Sequence, residues 1–138
     1  MFISNSKEET VKYASDYAKG LKCGDVVCLY GDLGAGKTAF TEGVVFGVGN
    51  ISSVSSPTFG IMNMYTLGDI KVYHFDLYRL NSEDELYDIG LEEYLGVDDA
   101  ICIVEWPGVA SGLIKNAKEV HIEHLGDDMR KITVKEKN

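Results

Sequence analysis

Val26-Val27-Cys28-Leu29-Tyr30-Gly31-Asp32-Leu33-Gly34-Ala35-Gly36-Lys37-Thr38 is the stretch on which the reading of this chain turns. Its first five residues form an unbroken apolar run of strand length, and a glycine-rich segment follows at once. Beyond it Phe40, Val44, Val45 and Val48 recur at helical spacing, so the order is strand, loop, helix. Gly31 to Thr38 fits the pattern GxxxxGK(S/T), whose glycines let backbone amides turn toward phosphate groups with no Cβ in the way. In that pattern Lys37 neutralises β- and γ-phosphates and the Thr38 hydroxyl meets Mg²⁺. The N-terminus of the following helix, which includes Ala39, favours negative charge. A chance match arises in on the order of one chain in a few hundred. The strand before the motif and the helix after it make chance a poor explanation here.

Working outward, Ser6 with Glu9 has the capping-box spacing of a helix start, and the helix is expected to end near Gly20. Residues 50 to 57 are rich in serine and read as a mobile loop. Ile61 to Leu67 and Lys71 to Tyr78 read as an antiparallel hairpin across Gly68-Asp69. Ser82 with Glu85 repeats the capping spacing and opens a short helix that Gly90 ends. Ala100 to Trp106 is a second buried strand, stopped at Pro107 and expected beside Val26 to Tyr30. Glu119 to Leu125 and Arg130 to Lys135 alternate as a half-exposed hairpin across Gly126-Asp127-Asp128. The fold class expected is α/β: a three-layer P-loop arrangement in one domain over residues 1–138. Helices flank its mixed sheet, and antiparallel hairpins are added to it.

A net charge of −9 argues against broad binding to a phosphate backbone, since the basic residues are scattered rather than gathered in a run. Three cysteines without a CxxC pair suit a reducing compartment, and Cys28 and Cys102 read as small hydrophobes within buried strands. The N-terminus is too quickly charged for a signal peptide, no stretch is long and apolar enough for a membrane, and the expected location is cytoplasmic.

A P-loop enzyme also needs a carboxylate near the metal, at the end of a neighbouring strand. Glu105 ends the run Ala-Ile-Cys-Ile-Val and is the first candidate, as catalytic residue and metal ligand. Asp76 is the second; by alternation it shares a strand face with His74 and Tyr78. It either orients a water or the metal, or simply pairs with a lysine. His74 reads as a hydrogen-bonded structural histidine, because no second histidine or cysteine pair stands at metal-site spacing. Trp106 is read equally as a neighbour of the nucleotide or as rim packing. The acidic cluster from Glu83 to Glu93 reads as a solvated helix face.

Four blocks in order resemble the TsaE (YjeE) family, the small ATPases of bacterial threonylcarbamoyladenosine tRNA modification. They are Gly31 to Thr38, Ser56-Pro57-Thr58-Phe59, His74-Phe75-Asp76-Leu77-Tyr78-Arg79-Leu80 and Val104-Glu105-Trp106-Pro107. The resemblance implies ATP at the P-loop, Mg²⁺ between Thr38 and Glu105, and Asp76 near the reacting phosphate. It places Thr58 in a switch-like loop, and brings residues near Lys7 and Thr10, with Arg130 from the tail, toward the nucleotide. The partners it implies are the TsaB and TsaD proteins, with tRNA reached only through their complex and no membrane.

With Arg79 and Arg130 as the only arginines, a slow isolated ATPase whose site a partner completes or gates is expected. The same scarcity counts against a small-molecule kinase with a basic lid. Asn116-Ala117-Lys118-Glu119 does not supply the NKxD guanine motif of a GTP switch. A module in which the ATP-bound state matters more than hydrolysis shares the same site and stays open. Lys37→Ala should abolish measurable ATP binding in calorimetry, and wild-type affinity in that variant would overturn the motif assignment.

Overall fold

The computed structural model describes residues 1–32, 36–49, 62–114 and 116–135. Leu33, Gly34, Ala35, Thr58 and the loop expected at 50 to 57 lie outside the described residues. The elements are β1 (Phe2–Ser4), α1 (Lys7–Ala18), β2 (Val26–Tyr30), α2 (Lys37–Gly49), β3 (Met62–Leu67), β4 (Ile70–Asp76), α3 (Glu83–Asp88), β5 (Ala100–Glu105), β6 (Lys118–Gly126) and β7 (Met129–Lys135). Short 3₁₀ turns follow α3 and β5, at Leu91–Glu93 and Pro107–Ala110.

Among the described residues, one seven-stranded sheet runs in the order β1-β7-β6-β2-β5-β4-β3. Its centre is parallel, with β2 paired to both β6 and β5 and β5 paired to β4; β3, β7 and β1 add antiparallel edges. The α/β class and the expected adjacency of β2 and β5 are both seen. All six residues of β5 are buried, as a strand covered on both faces requires. On one face Val27, Leu29, Ile101 and Ile103 pack beneath Phe40 and Val44 of α2 and Ala14 of α1. On the other, Cys28, Cys102 and Val104 pack with Leu86 of α3 and Leu91. Cys28 and Cys102 are therefore core residues, and burial pushes the Cys102 thiol up to about 12. Among the described residues, no helix is long and apolar enough to cross a membrane.

Local readings are corrected at several points. The Ser6 hydroxyl accepts from Glu9 N–H at 3.1 Å as expected, but the Glu9 carboxylate accepts from Asn5 N–H, one residue before the cap. Ser82 occupies the cap of α3 without a side-chain cap bond; Glu85 accepts from Asn81 N–H at 2.9 Å instead. β4 ends at Asp76, so Tyr78 falls in the following turn and does not share the face of His74 and Asp76. β5 ends one residue early, at Glu105, because Trp106 turns into the left-handed region at φ 55°. The tail hairpin is more than a half-exposed appendage. β6 lies directly against β2, and Val120, Ile122 and Ile132 are buried.

The helix that follows the phosphate loop is held by close approach rather than by large side chains. A Cβ on Gly43 would lie 2.6 Å from Ala14 Cβ and would also strike the Val11 carbonyl, and one on Gly47 would lie 2.5 Å from the Ser15 carbonyl. Glycines on α2 thus face the alanines of α1 with backbone nearly on backbone. Gly43→Ala should force the helices apart and cost about 2 to 3 kcal/mol in urea unfolding, whereas an unchanged midpoint would mean the pair can slide to accept a methyl.

Candidate nucleotide site

The ends of three parallel strands bring the site together. Register sets Leu29 of β2 and Asp76 of β4 opposite Glu105 of β5, so the carboxylates of Asp76 and Glu105 lie at the sheet's C-terminal edge, where the phosphate loop begins. After Asp76 the chain stays tied to this edge through Leu77 N–H, which donates to the Glu105 carbonyl at 3.1 Å. Tyr78 N–H donates to Asp76 Oδ1 at 3.1 Å, and this orients the carboxylate.

Glu105 is 4% exposed, and His74, from the same face of the sheet, is fully buried beside it. His74 Nε2 is hydrogen-bonded to Glu105 Oε2. An ionised carboxylate can only accept, which fixes the proton on Nε2 and leaves Oε1 for another partner. His74 is thus a structural histidine, as read from the sequence, but what it structures is the candidate metal carboxylate.

Lys37 opens α2 and is 5% exposed. Its Nζ donates to the Gly31 carbonyl at 2.7 Å and lies 3.8 Å over the centre of the Trp106 ring. Burial lowers the pKa of this ammonium, opposed by the nearby charges of Glu105, Asp76 and Asp32. Trp106 reaches Lys37 because its left-handed backbone swings the ring back over the strand end before Pro107 starts the 3₁₀ turn. Of its two readings from sequence, the one beside the phosphate loop agrees with this geometry. The Pro107 that follows it was the available sign of a sharp departure from the strand.

Two cavities flank the loop. One, of about 190 Å³, is lined by Ser6, Lys7, Thr10, Gly36, Ala39, Asp128 and Arg130. It joins the start of α1 to the start of β7, and so collects Lys7, Thr10 and Arg130, which the resemblance brought toward the nucleotide. Gly36, at φ 109°, lies under the Arg130 side chain, with Arg130 Nε 3.4 Å from where a Cβ would stand. Thr10 is 1% exposed and its hydroxyl shares a 2.7 Å hydrogen bond with Ser4, so within this cavity it acts as wall more than as contact. Lys7 pairs with Glu42 at 3.6 Å. Asp128 belongs to this cavity too and was not singled out from the sequence. The second cavity, of about 440 Å³, lies at the other end of the loop beside Gly31 and Asp32.

Oxygen donors suit Mg²⁺, and the residues present offer them: the Thr38 hydroxyl at the head of α2, and Glu105 with Asp76 opposite it in the sheet. Among the described residues there is no group of three or more His, Cys, Asp or Glu side chains that would hold an ion alone.

The family model described as "Threonylcarbamoyl adenosine biosynthesis protein TsaE" matches residues 4–132, nearly the whole described fold. This chain belongs to the TsaE family. A TsaE protein of Bacillus subtilis is 44% identical over 127 residues, covering 91% of this chain and 78% of the relative. One from Treponema pallidum is 36% identical over 133 residues, covering 96% and 97%. Both carry the name tRNA threonylcarbamoyladenosine biosynthesis protein TsaE. The crystal structure of Bacillus subtilis YdiB superposes with a TM-score of 0.80 at 34% identity, covering 99% of this chain and 84% of that one. The TsaE resemblance drawn from four short blocks is thereby extended to the fold.

In this TsaE chain the buried His74–Glu105 pair should be fragile on one side only. His74→Phe strands a buried carboxylate and should cost about 3 kcal/mol in urea unfolding, while His74→Gln, which keeps a donor, should recover most of it. A larger loss in His74→Gln than in His74→Phe would mean the ring's volume matters and its proton does not.

Proposed function

We propose that this chain is a magnesium-dependent ATPase that binds and hydrolyses ATP in support of the TsaB–TsaD complex, which forms N6-threonylcarbamoyladenosine in tRNA. The observation that carries this reading is the convergence of Lys37, Asp76 and Glu105 at one edge of the sheet, directly beside the phosphate loop. The names of the family and of its relatives support the pathway.

Each residue has a defined task in this reading. Gly31, Asp32, Leu33, Gly34, Ala35 and Gly36 form the phosphate loop, with Lys37, Thr38 and Ala39 at the helix head. Lys37 leaves Gly31 and Trp106 to neutralise the terminal phosphates. Thr38 and Glu105 hold the metal, which when bound offsets the negative charge that builds on the phosphoryl oxygens. His74 fixes the aim of Glu105 by occupying Oε2 alone. Asp76, oriented by the Tyr78 amide, accepts a proton from or positions the attacking water. Arg130, Lys7 and Thr10 close the far end of the nucleotide, and Thr58 belongs to the loop that answers the γ-phosphate. The tRNA is reached through the complex, and the work is cytoplasmic.

Glu105→Ala should retain ATP binding in calorimetry but lose on the order of a hundredfold or more of magnesium-dependent hydrolysis. ATP should turn over slowly alone, faster with the TsaB–TsaD complex, and in preference to GTP. Rapid turnover without the complex, or preference for GTP, would displace this reading.

A further inference from the structure

The cavity of about 440 Å³ at Gly31 and Asp32 has no task in the ATPase reading. Leu29, Leu77, Leu80 and Val109 give it apolar walls. The rings of Tyr78 and Trp106, tilted with centroids 4.9 Å apart, stand together on its lining, and Tyr78 is 53% exposed. Asp32 adds an exposed carboxylate.

Two groups that line this cavity already hold a cation. The Gly31 carbonyl accepts from Lys37 Nζ at 2.7 Å, and the Trp106 ring lies 3.8 Å from the same ammonium. A carbonyl, an aromatic face and a nearby carboxylate are what an alkylammonium or a guanidinium selects. Lys37 cannot serve these groups and a nucleotide's phosphates at once. When its ammonium turns to the phosphates, the carbonyl and the ring lose their cation while the Asp32 charge remains.

We propose that this cavity is a receptor for an arginine side chain of a partner protein, whose Gly31 carbonyl and Trp106 face are taken by Lys37 when no nucleotide is bound and freed when nucleotide draws Lys37 away. The inference rests on the nucleotide-binding reading above. The leucines and Val109 accommodate a methylene stem, and the Tyr78–Trp106 pair offers a stacking face to a flat guanidinium. A net charge of −9 favours approach by a basic segment over an apolar one. The chain's own Arg130 is engaged elsewhere, over Gly36 and on the carbonyls of Asp127 and Met129. The arrangement couples two ligands through one lysine. ATP makes the chain a better receptor for the partner, and by reciprocity the partner tightens ATP.

Trp106 is the only tryptophan, so its fluorescence reports on this cavity and on the Lys37 ammonium beside it, and the analogue's own effect is taken as the baseline of each titration. The full chain would be titrated with N-acetyl-arginine amide, and separately with N-acetyl-leucine amide. Both titrations are run at constant ionic strength, with and without a non-hydrolysable ATP analogue and Mg²⁺, and analogue binding is followed by calorimetry. The expected result is a saturable change with the arginine compound that requires the analogue. Leu80→Ala, which removes wall from the methylene stem, should weaken it about threefold or more, with analogue affinity within about twofold of wild type. A response that ignores nucleotide, an equal response to the leucine compound, or silence while calorimetry shows the analogue bound would each overturn the receptor and leave the ATPase reading standing. Failure of the analogue to bind would remove both.

Discussion

The parallel pairing of β5 with β2 on one side and β4 on the other is the constraint from which the site follows. Side chains in a strand alternate faces, so a shift of one residue in either pairing would send Glu105 or His74 to the opposite layer. In the observed register Ile101, Ile103 and Glu105 share a face with Val72, His74 and Asp76. The first of these in each strand belong to the packed core, and the last are polar. The hydrophobic residues thus choose the register, and the catalytic candidates are carried to the sheet edge with them.

On that edge the groups are held with different stringency. Glu105 is gripped by a buried ring, Asp76 by a single backbone amide, and Lys37 by a carbonyl and an aromatic face. The helix that carries Lys37 is pressed against α1 at Gly43 and Gly47, so the backbone has little room to translate. In the proposed function, movement toward a phosphate would therefore fall to the lysine's own torsions, the ammonium giving up its carbonyl and aromatic partners for phosphate oxygens.

How much of this the sequence disclosed depends on the range of the interactions involved. β2, α2, β5 and both hairpins were legible because each carries its own apolar period and turn residues. Phe2–Ser4 was not read as a strand, since three residues gain strand geometry only by pairing with β7. The direct contact of β6 with β2 was hidden behind its alternating pattern, which is also what an edge hairpin shows. Glu105 and Asp76 were legible from their positions at or near strand ends, but the link from Glu105 to His74 spans 31 residues and no local spacing encodes it. Pro107 announced that the strand stops, but not the left-handed turn at Trp106, because an aromatic residue rarely adopts it.

The pairing of Ser4 with Arg130, and the cavity lined by Ser6, Lys7, Thr10, Gly36, Ala39, Asp128 and Arg130, bring together residues from opposite ends of the chain. During synthesis the phosphate loop and α2 emerge early, yet the wall over Gly36 and the partner strand of β1 exist only after Arg130 has left the ribosome. Contacts of such long sequence separation form late and slowly. A growing chain therefore cannot assemble this cavity before Arg130 and its strand have paired with Ser4. A closed wall over Gly36 then doubles as a certificate that these two distant segments have found each other.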